Sequence, residues 1–284
     1  MAEGQVVAAF GRQFLVELAD GTTLPCITRG KKGGVACGDR VIVQSISASQ
    51  GIIDTIAPRT SLLYRSDAFR EKIIAANVTQ IIVVLAAEPA FYEDLLNRCL
   101  IAAETADIKA LIVLNKCDLE NPSQQALQQL ALYAELGYPL LPLSALQDIA
   151  PLRPWLHGQT SVLVGQSGMG KSSIVNALLP DIQARTREIS QALNSGKHTT
   201  THAQLYHLDA DSHIIDSPGL QEFGLHHMSR DAITHAFVEF RPYIGDCRFA
   251  NCKHLVEPDC AVRNAVATGK ISERRLAAYQ RLAP

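Results

Sequence analysis

The pattern of apolar and polar positions changes character twice along the 284 residues. In the first part, short runs alternate between apolar and polar positions and are broken by turn signals, the period of half-buried strands. "QVVAAF" and "QFLVEL" are separated only by Gly11 and Arg12, and "ADGT" (19–22) carries an Asp-Gly hairpin signal. "RVIVQSI" and "GIIDTIA" follow, and Pro58 closes the segment. Five short strands in this length predict a small closed barrel such as an OB-fold, and an SH3-like barrel matches the same pattern. "RGKKGG" (29–34) is expected as a basic loop on it.

From about residue 77 the pattern becomes strand–helix alternation. "TQIIVVLAA" and "KALIVLNKCD" are continuous apolar runs, as expected of strands buried on both faces. "FYEDLLNRCLIAAETA" and "SQQALQQLALYAELG" have helical spacing, with Gly137 as the stop of the second. "PLLPLSAL" and "TSVLVGQSG" give two more strands, and "LYHLDADSHIIDSPG" reads as a strand hairpin. The result is a doubly wound α/β sheet with its chemistry at the carboxyl ends of the strands. From about residue 229 the pattern is helical, with Ser229 and Ser272 as expected N-caps. The expected organisation is a barrel over 1–58, an α/β domain over 59–228 and a helical domain over 229–284.

Composition adds limits. The chain is 47% hydrophobic and 19% charged, values of a folded globular protein. No apolar run approaches the ~20 residues that span a bilayer. "MAEGQVVAAF" lacks a signal-peptide pattern, so a cytoplasmic, monomeric protein without a membrane partner is expected. The net charge of −2 hides a gradient. Residues 59–228 carry twelve basic and seventeen acidic side chains, and residues 229–284 carry nine basic and six acidic ones. A basic end on an acidic body suggests an anionic partner. Of seven cysteines, three cluster at 247, 252 and 260, and an odd, clustered set points to metal rather than disulfides.

The chemistry sits in short motifs. Gly165, Gly170, Lys171 and Ser172 fit G-x-x-x-x-G-K-[ST], between the strand "SVLV" and the helix "SSIVNALL". Backbone N–H groups of such a loop wrap phosphates, Lys171 would reach the β- and γ-phosphates, and Ser172 would ligate Mg²⁺. In "DSPG" (216–219), Asp216 would hold the Mg²⁺ through water, and Gly219 would offer an amide to a γ-phosphate. "NKCD" (115–118) ends a strand. There a buried Asp118 carboxylate would accept from the N1–H and exocyclic amine of guanine, Asn115 would brace the site, and the Lys116 stem would stack on the base. "SAL" (144–146) would supply a backbone N–H at Ser144 or Ala145 to the guanine oxygen. In "GKHTTTH" (196–202), Thr200 or else Thr201 would close over the Mg²⁺ and γ-phosphate. Many GTPases place glutamine after D-x-x-G, whereas this chain has Leu220, so slow intrinsic turnover is expected, with His198 as the candidate catalytic residue that positions water.

Cys247, Cys252, His254 and Cys260 form C-x4-C-x-H-x5-C, a donor set that fills a closed tetrahedral Zn²⁺ site. A ~55-residue helical appendage is near the lower limit for an independent core, so a structural metal fits. Arg248, Lys253, Arg263, Lys270, Arg274, Arg275 and Arg281 are expected to surround it.

The combination resembles the circularly permuted GTPases of small ribosomal subunit biogenesis, and the resemblance covers essentially the whole chain. It implies an N-terminal OB-fold, a permuted P-loop GTPase domain and a C-terminal zinc domain. It further implies a factor that binds the maturing small ribosomal subunit and its rRNA, hydrolyses GTP faster there, and leaves on hydrolysis. By matched position, guanine recognition falls on Asn115, Lys116 and Asp118. Phosphate binding falls on Gly165, Gln166, Ser167, Gly168, Met169, Gly170, Lys171, Ser172 and Ser173, and zinc on Cys247, Cys252, His254 and Cys260. The rival expectation is an RNA-binding module that uses GTP only as a regulatory ligand, with negligible turnover.

Overall fold

A computed structural model describes the chain except residues 30–33, 48, 67–70, 180–202, 217–223, 226–227 and 284. The segments carrying His198, Thr200, Thr201, Gly219 and Leu220 therefore lie outside the described residues, as does most of the basic loop at 29–34.

The amino-terminal strands are β1 (Ala2–Phe10), β2 (Gln13–Leu18), β3 (Thr23–Thr28), β4 (Arg40–Ser47) and β5 (Gln50–Ile56). They pair in the order β1-β2-β3-β5-β4, and β4 returns to β1. The parallel pairing of β3 with β5 and the closure of β4 on β1 make the Greek-key barrel of an OB-like fold, which decides between the two barrels the pattern allowed. Val6, Phe14, Val16, Cys26, Val41, Val43 and Ile53 fill its interior.

A hairpin that the apolar pattern does not announce follows: β6 (Leu62–Ser66) and β7 (Glu71–Ala76). Next come β8 (Gln80–Ala86), α1 (Glu93–Thr105), β9 (Lys109–Asn115), α2 (Glu120–Glu135) and β10 (Leu140–Pro142). A short α3 (Arg153–Leu156), β11 (Thr160–Val164), α4 (Lys171–Leu178), β12 (Ala203–His207) and β13 (His213–Asp216) complete the α/β part. The strand order β10-β9-β8-β11-β13 is parallel throughout, and β12 lies antiparallel beside β13. Strand order reverses between β8 and β11, which opens a crevice at their carboxyl ends.

Alternation along β8 explains its apolar run from Ile81 to Ala86. Ile81, Val83 and Leu85 face the side covered by α1 and α2, whereas Ile82, Val84 and Ala86 face the side covered by α4. Each such aliphatic side chain contributes roughly 1.5–3 kcal/mol on burial. A polar residue at any of these positions would lose that and add a desolvation cost.

The barrel and the α/β sheet are one continuous sheet of 11 strands. Residues 2–5 of β1 pair with β4, whereas Ala8 and Ala9 pair with Gln204 and Ala203 of β12. A bulge between Val6 and Ala8 lies between the two pairings and lets one strand serve both. A second seam passes through Gly38. Its N–H donates to the Val6 carbonyl at 2.8 Å, and its carbonyl accepts from Asn77 Nδ2 at 3.0 Å.

The carboxyl-terminal segment holds α5 (Arg230–Ala236), a 3-10 turn (Val238–Tyr243), α6 (Ala261–Ala267) and α7 (Glu273–Leu282). Ser229 and Ser272 cap α5 and α7, accepting from the N–H of Ala232 and of Arg274. Phe237, Phe240 and Tyr279 pack ring on ring at 5.1–5.4 Å as the centre of its core. Among the described residues, no helix is long and apolar enough to cross a membrane.

The seam at Gly38 gives a stability test. Gly38 has φ +93, and a Cβ there would meet the Ala76 carbonyl oxygen at 2.2 Å. Gly137 has the same φ of +93 with nothing within 4 Å of a Cβ. Gly137→Ala should therefore cost only the left-handed strain, about 1–2 kcal/mol. Gly38→Ala should exceed it by at least about 1 kcal/mol, because backbone must also move. Urea unfolding midpoints compare the two.

Candidate nucleotide and metal sites

The crevice at the carboxyl ends of β8, β9, β11 and β13 collects most of the residues singled out by sequence. Asn115 ends β9 and is 2% exposed. Its Nδ2 donates to the Met169 carbonyl at 3.0 Å, and its Oδ1 accepts from the Ala145 N–H at 3.0 Å. One side-chain amide thus ties the loop 165–170 to the "SAL" turn. Cys117 N–H donates to the Leu143 carbonyl at 3.1 Å and closes the same corner.

The loop after β11 requires its glycines. Gly165 (φ +152) sits so close to β8 that a Cβ would meet the Val84 carbonyl oxygen at 2.2 Å. At Gly170 (φ +92) a Cβ would meet Asn115 Nδ2 at 2.2 Å, and at Gly168 (φ +83) it would meet Pro89 Cγ at 3.3 Å. Met169 is buried under the loop in the core shared with α4, while Ser167 and Gly168 are exposed at its mouth. Gly170 is the N-cap residue of α4, so Lys171, Ser172 and Ser173 form its first turn. The Lys171 ammonium donates to the carbonyls of Gly165 and Gln166 at 2.5 and 2.8 Å.

Asp216 ends β13, in register with Leu163 just before the loop. Burial pushes its carboxyl pKa up, and the Lys171 charge partly offsets this. Burial likewise pushes the Lys171 ammonium down, opposed by Asp216. A half-buried carboxylate and ammonium converging on a glycine loop fit a phosphate–Mg²⁺ group, with Ser172 and Asp216 able to serve the metal. Ser144 adds a second sign of fit: its Oγ is buried without a hydrogen-bond partner among the described residues, beside the amide of Ala145.

One expectation changes. Asp118 is exposed rather than buried, because it lies in the turn between β9 and α2, where a bound base would itself have to cover it. Lys116 (φ +63) reaches the Glu88 carbonyl at 2.8 Å with its ammonium, so a neighbour that sequence did not supply joins the site. That neighbour, residues 88–92, touches the loop again where the Tyr92 N–H donates to Gln166 Oε1. Backbone groups make these contacts, so residue type could not announce them.

A matching family model covers residues 56–226 and describes an RsgA GTPase. The chain belongs to the RsgA GTPase family. The Small ribosomal subunit biogenesis GTPase RsgA of Nitrosospira multiformis is 57% identical over 279 residues, covering 98% of this chain and 89% of that one. Among solved structures, YjeQ from Thermotoga maritima matches with a TM-score of 0.74 at 29% identity, covering 99% of this chain and 96% of that one. The structure of YloQ, described as a circularly permuted GTPase, matches with a TM-score of 0.71 at 28% identity, covering 99% and 93%. This family member is a GTPase with the same permuted order: β9 and its NKCD precede β11 and its glycine loop.

The cysteine cluster forms a second centre. The donor atoms of Cys247, Cys252, His254 and Cys260 all lie within 4.8 Å of one another. Cys247 Sγ is 3.9 Å from Cys260 Sγ and 3.6 Å from His254 Nδ1, and His254 Nδ1 is 3.3 Å from Cys260 Sγ. Tetrahedral Zn²⁺ with Zn–S near 2.3 Å needs S···S separations of about 3.8 Å, which the Cys247–Cys260 separation of 3.9 Å matches, so the donor set is compatible with the ion. His254 (φ +59) packs beside Phe240 and Tyr279 at 6.5 and 6.1 Å between ring centroids. The Ala261 N–H points at Cys247 Sγ at 3.4 Å, a donor suited to a thiolate.

The basic side chains of this segment divide. Arg274, Arg275 and Arg281 pair with Glu93, Asn97 and Asp94 of α1, Arg275 buried and the other two still exposed, because α1 offers carboxylates on the face that α7 covers. Arg248, Lys253, Arg263 and Lys270 stay exposed.

Elemental analysis should find about one zinc per folded chain, and Cys260→Ser should bring it close to zero. Stripping the metal should loosen residues 229–283, seen as faster amide exchange there, while β8–β11 keep their protection.

Proposed function

We propose that this GTPase binds the small ribosomal subunit during its assembly and hydrolyses GTP there as a maturation checkpoint, with hydrolysis driving release. The observation that carries the nucleotide half is the Asn115 amide, which holds the loop 165–170 and the "SAL" turn in one frame. The subunit half rests on the printed names of relatives such as the Nitrosospira multiformis protein.

In this reading the loop 165–170 and the first turn of α4 grip the phosphates through backbone N–H groups and the helix N-terminus. Lys171 leaves the carbonyls of Gly165 and Gln166 for the β- and γ-phosphates. Asp118 accepts from the guanine N1–H and amine, the Lys116 stem covers the base, and the Ala145 or Ser144 amide donates to its oxygen. Bound Mg²⁺ neutralises phosphate charge, with Ser172, Asp216 and Thr200 or Thr201 as its proposed partners. His198 positions water on the segment that carries those threonines, in place of the glutamine absent at Leu220.

RNA would meet the cations left exposed: Arg248, Lys253, Arg263 and Lys270 on the zinc-bearing segment, together with the barrel. Arg248 lies over the Phe249 ring at 5.5 Å, and Phe249 is 41% exposed. A guanidinium and an open ring side by side make a stacking surface for an unpaired base.

Two measurements test the proposal. GTP turnover by the purified protein should be slow and should rise at least tenfold with purified small ribosomal subunits. Binding without any rise would favour a module that uses GTP as a ligand only. Asp118→Asn should weaken GTP binding by roughly a hundredfold or more, because one of guanine's two donors then faces the amide donor instead of a carboxylate oxygen. The same variant should gain affinity for xanthosine nucleotides, whose C2 carbonyl accepts from that amide; a fluorescent-nucleotide competition assay reads both.

A further inference from the structure

We propose that α1 is a rigid strut joining the phosphate loop to the zinc-bearing segment, with Gln166 as the positioning residue at its nucleotide end. The inference rests on the reading of residues 165–173 as a phosphate loop.

The path is continuous. Gln166 Oε1 accepts the N–H of Tyr92, the N-cap residue of α1. Lys116 holds the preceding Glu88 carbonyl at 2.8 Å, so the entry to α1 is fastened to the glycine loop and to NKCD together. The first turns of α1 then carry three side chains toward α7. Glu93 accepts from Arg274 at 2.8 Å, Asp94 from Arg281 at 2.7 Å, and Asn97 from Arg275. The Tyr133 hydroxyl of α2 lies 2.8 Å from Glu93 Oε1 and 3.1 Å from Asn97 Oδ1, its single proton shared between the two acceptors. From α7 the path reaches the metal centre through Tyr279. Its hydroxyl donates to the Lys253 carbonyl at 3.1 Å, and its ring lies 6.1 Å from that of His254.

Arg275 makes the strut rigid. It is 2% exposed, pairs with Glu239 as well as Asn97, and lies 4.4 Å from the Phe237 ring centroid. Sliding α7 along α1 would strand a buried guanidinium, a cost that exposed ion pairs do not carry. The exposed Arg274 and Arg281 pairs then act as outriggers that set the tilt of the first turn. A first turn held in place keeps Tyr92 N–H where Gln166 needs it, and a restrained loop loses less freedom when it closes on phosphates. Coupling of this kind is reciprocal: whatever the zinc segment does for nucleotide affinity, nucleotide does for the zinc segment.

A double-mutant cycle on the zinc-loaded full chain tests it, with affinity for a fluorescent GDP analogue as the readout. Gln166→Ala and the pair Arg274→Ala/Arg281→Ala should each weaken binding about three- to tenfold, and the combination should be clearly less than the product of the two. Arg281→Lys should restore part of the loss. Saturating GDP should slow zinc release to a chelator in the unmodified protein and do so less in Gln166→Ala. Should the arginine variant lose its fold, judged by zinc content and thermal midpoint, the charge swap Asp94→Arg/Arg281→Asp replaces it and should bind within about twofold of the parent. Independent, multiplicative losses, or arginine variants that are folded and bind GDP normally, overturn the strut. Failure of the unmodified protein to bind GDP would instead remove the phosphate-loop reading and the strut with it.

Discussion

The Asn115 side chain is the fixed point of the molecule's chemistry. A single amide, buried at the end of β9, satisfies one carbonyl from the glycine loop and one amide from the turn after β10. Neither loop could hold its shape alone, since each presents backbone groups that would otherwise be left unpaired in a buried corner. The requirement reaches into Gly170, where any side chain would displace the Asn115 amide. It also explains why motif order is free to change. The amide needs the carboxyl ends of β10, β9 and β11 close together in space, and the sheet order β10-β9-β8-β11 supplies that whichever strand the chain visits first.

Much of this was legible in the sequence, for reasons that can be named. Strands such as β8 declare themselves because both faces are buried and six residues in a row, Ile81 to Ala86, are apolar. The glycine loop and the Cys–His cluster declare themselves because their chemistry restricts residue type at fixed spacing. The hairpin of β6 and β7 did not, since Leu62–Ser66 and Glu71–Ala76 are short and carry charge at the turn. The role of residues 88–92 was invisible because main-chain carbonyls and amides make its contacts. Asp118, expected to be buried, is exposed because it lies in the turn between β9 and α2.

Charge was the least reliable guide. The excess of basic residues after position 229 read as one surface, yet it serves two purposes. Arg274 and Arg281 pair with carboxylates of α1, and Arg275 pairs with Glu239 and donates to the Asn97 amide oxygen, all contacts within the fold. Arg248, Lys253, Arg263 and Lys270 remain outward. Composition counts a guanidinium in either place the same, and only the facing helix tells them apart.

The pairing of β1 with β12 has a consequence for solubility. A parallel sheet that ends in β12 would present a row of unpaired N–H and C=O groups, an invitation to pair with another chain. At the opposite side the sheet ends in β10, a strand of 3 residues closed by Pro142, which makes a poor template. On the β12 side Ala8 and Ala9 of the barrel occupy the edge instead. The barrel thus covers part of the sheet's margin at β12, and a chain deprived of it would offer those backbone groups to its own copies.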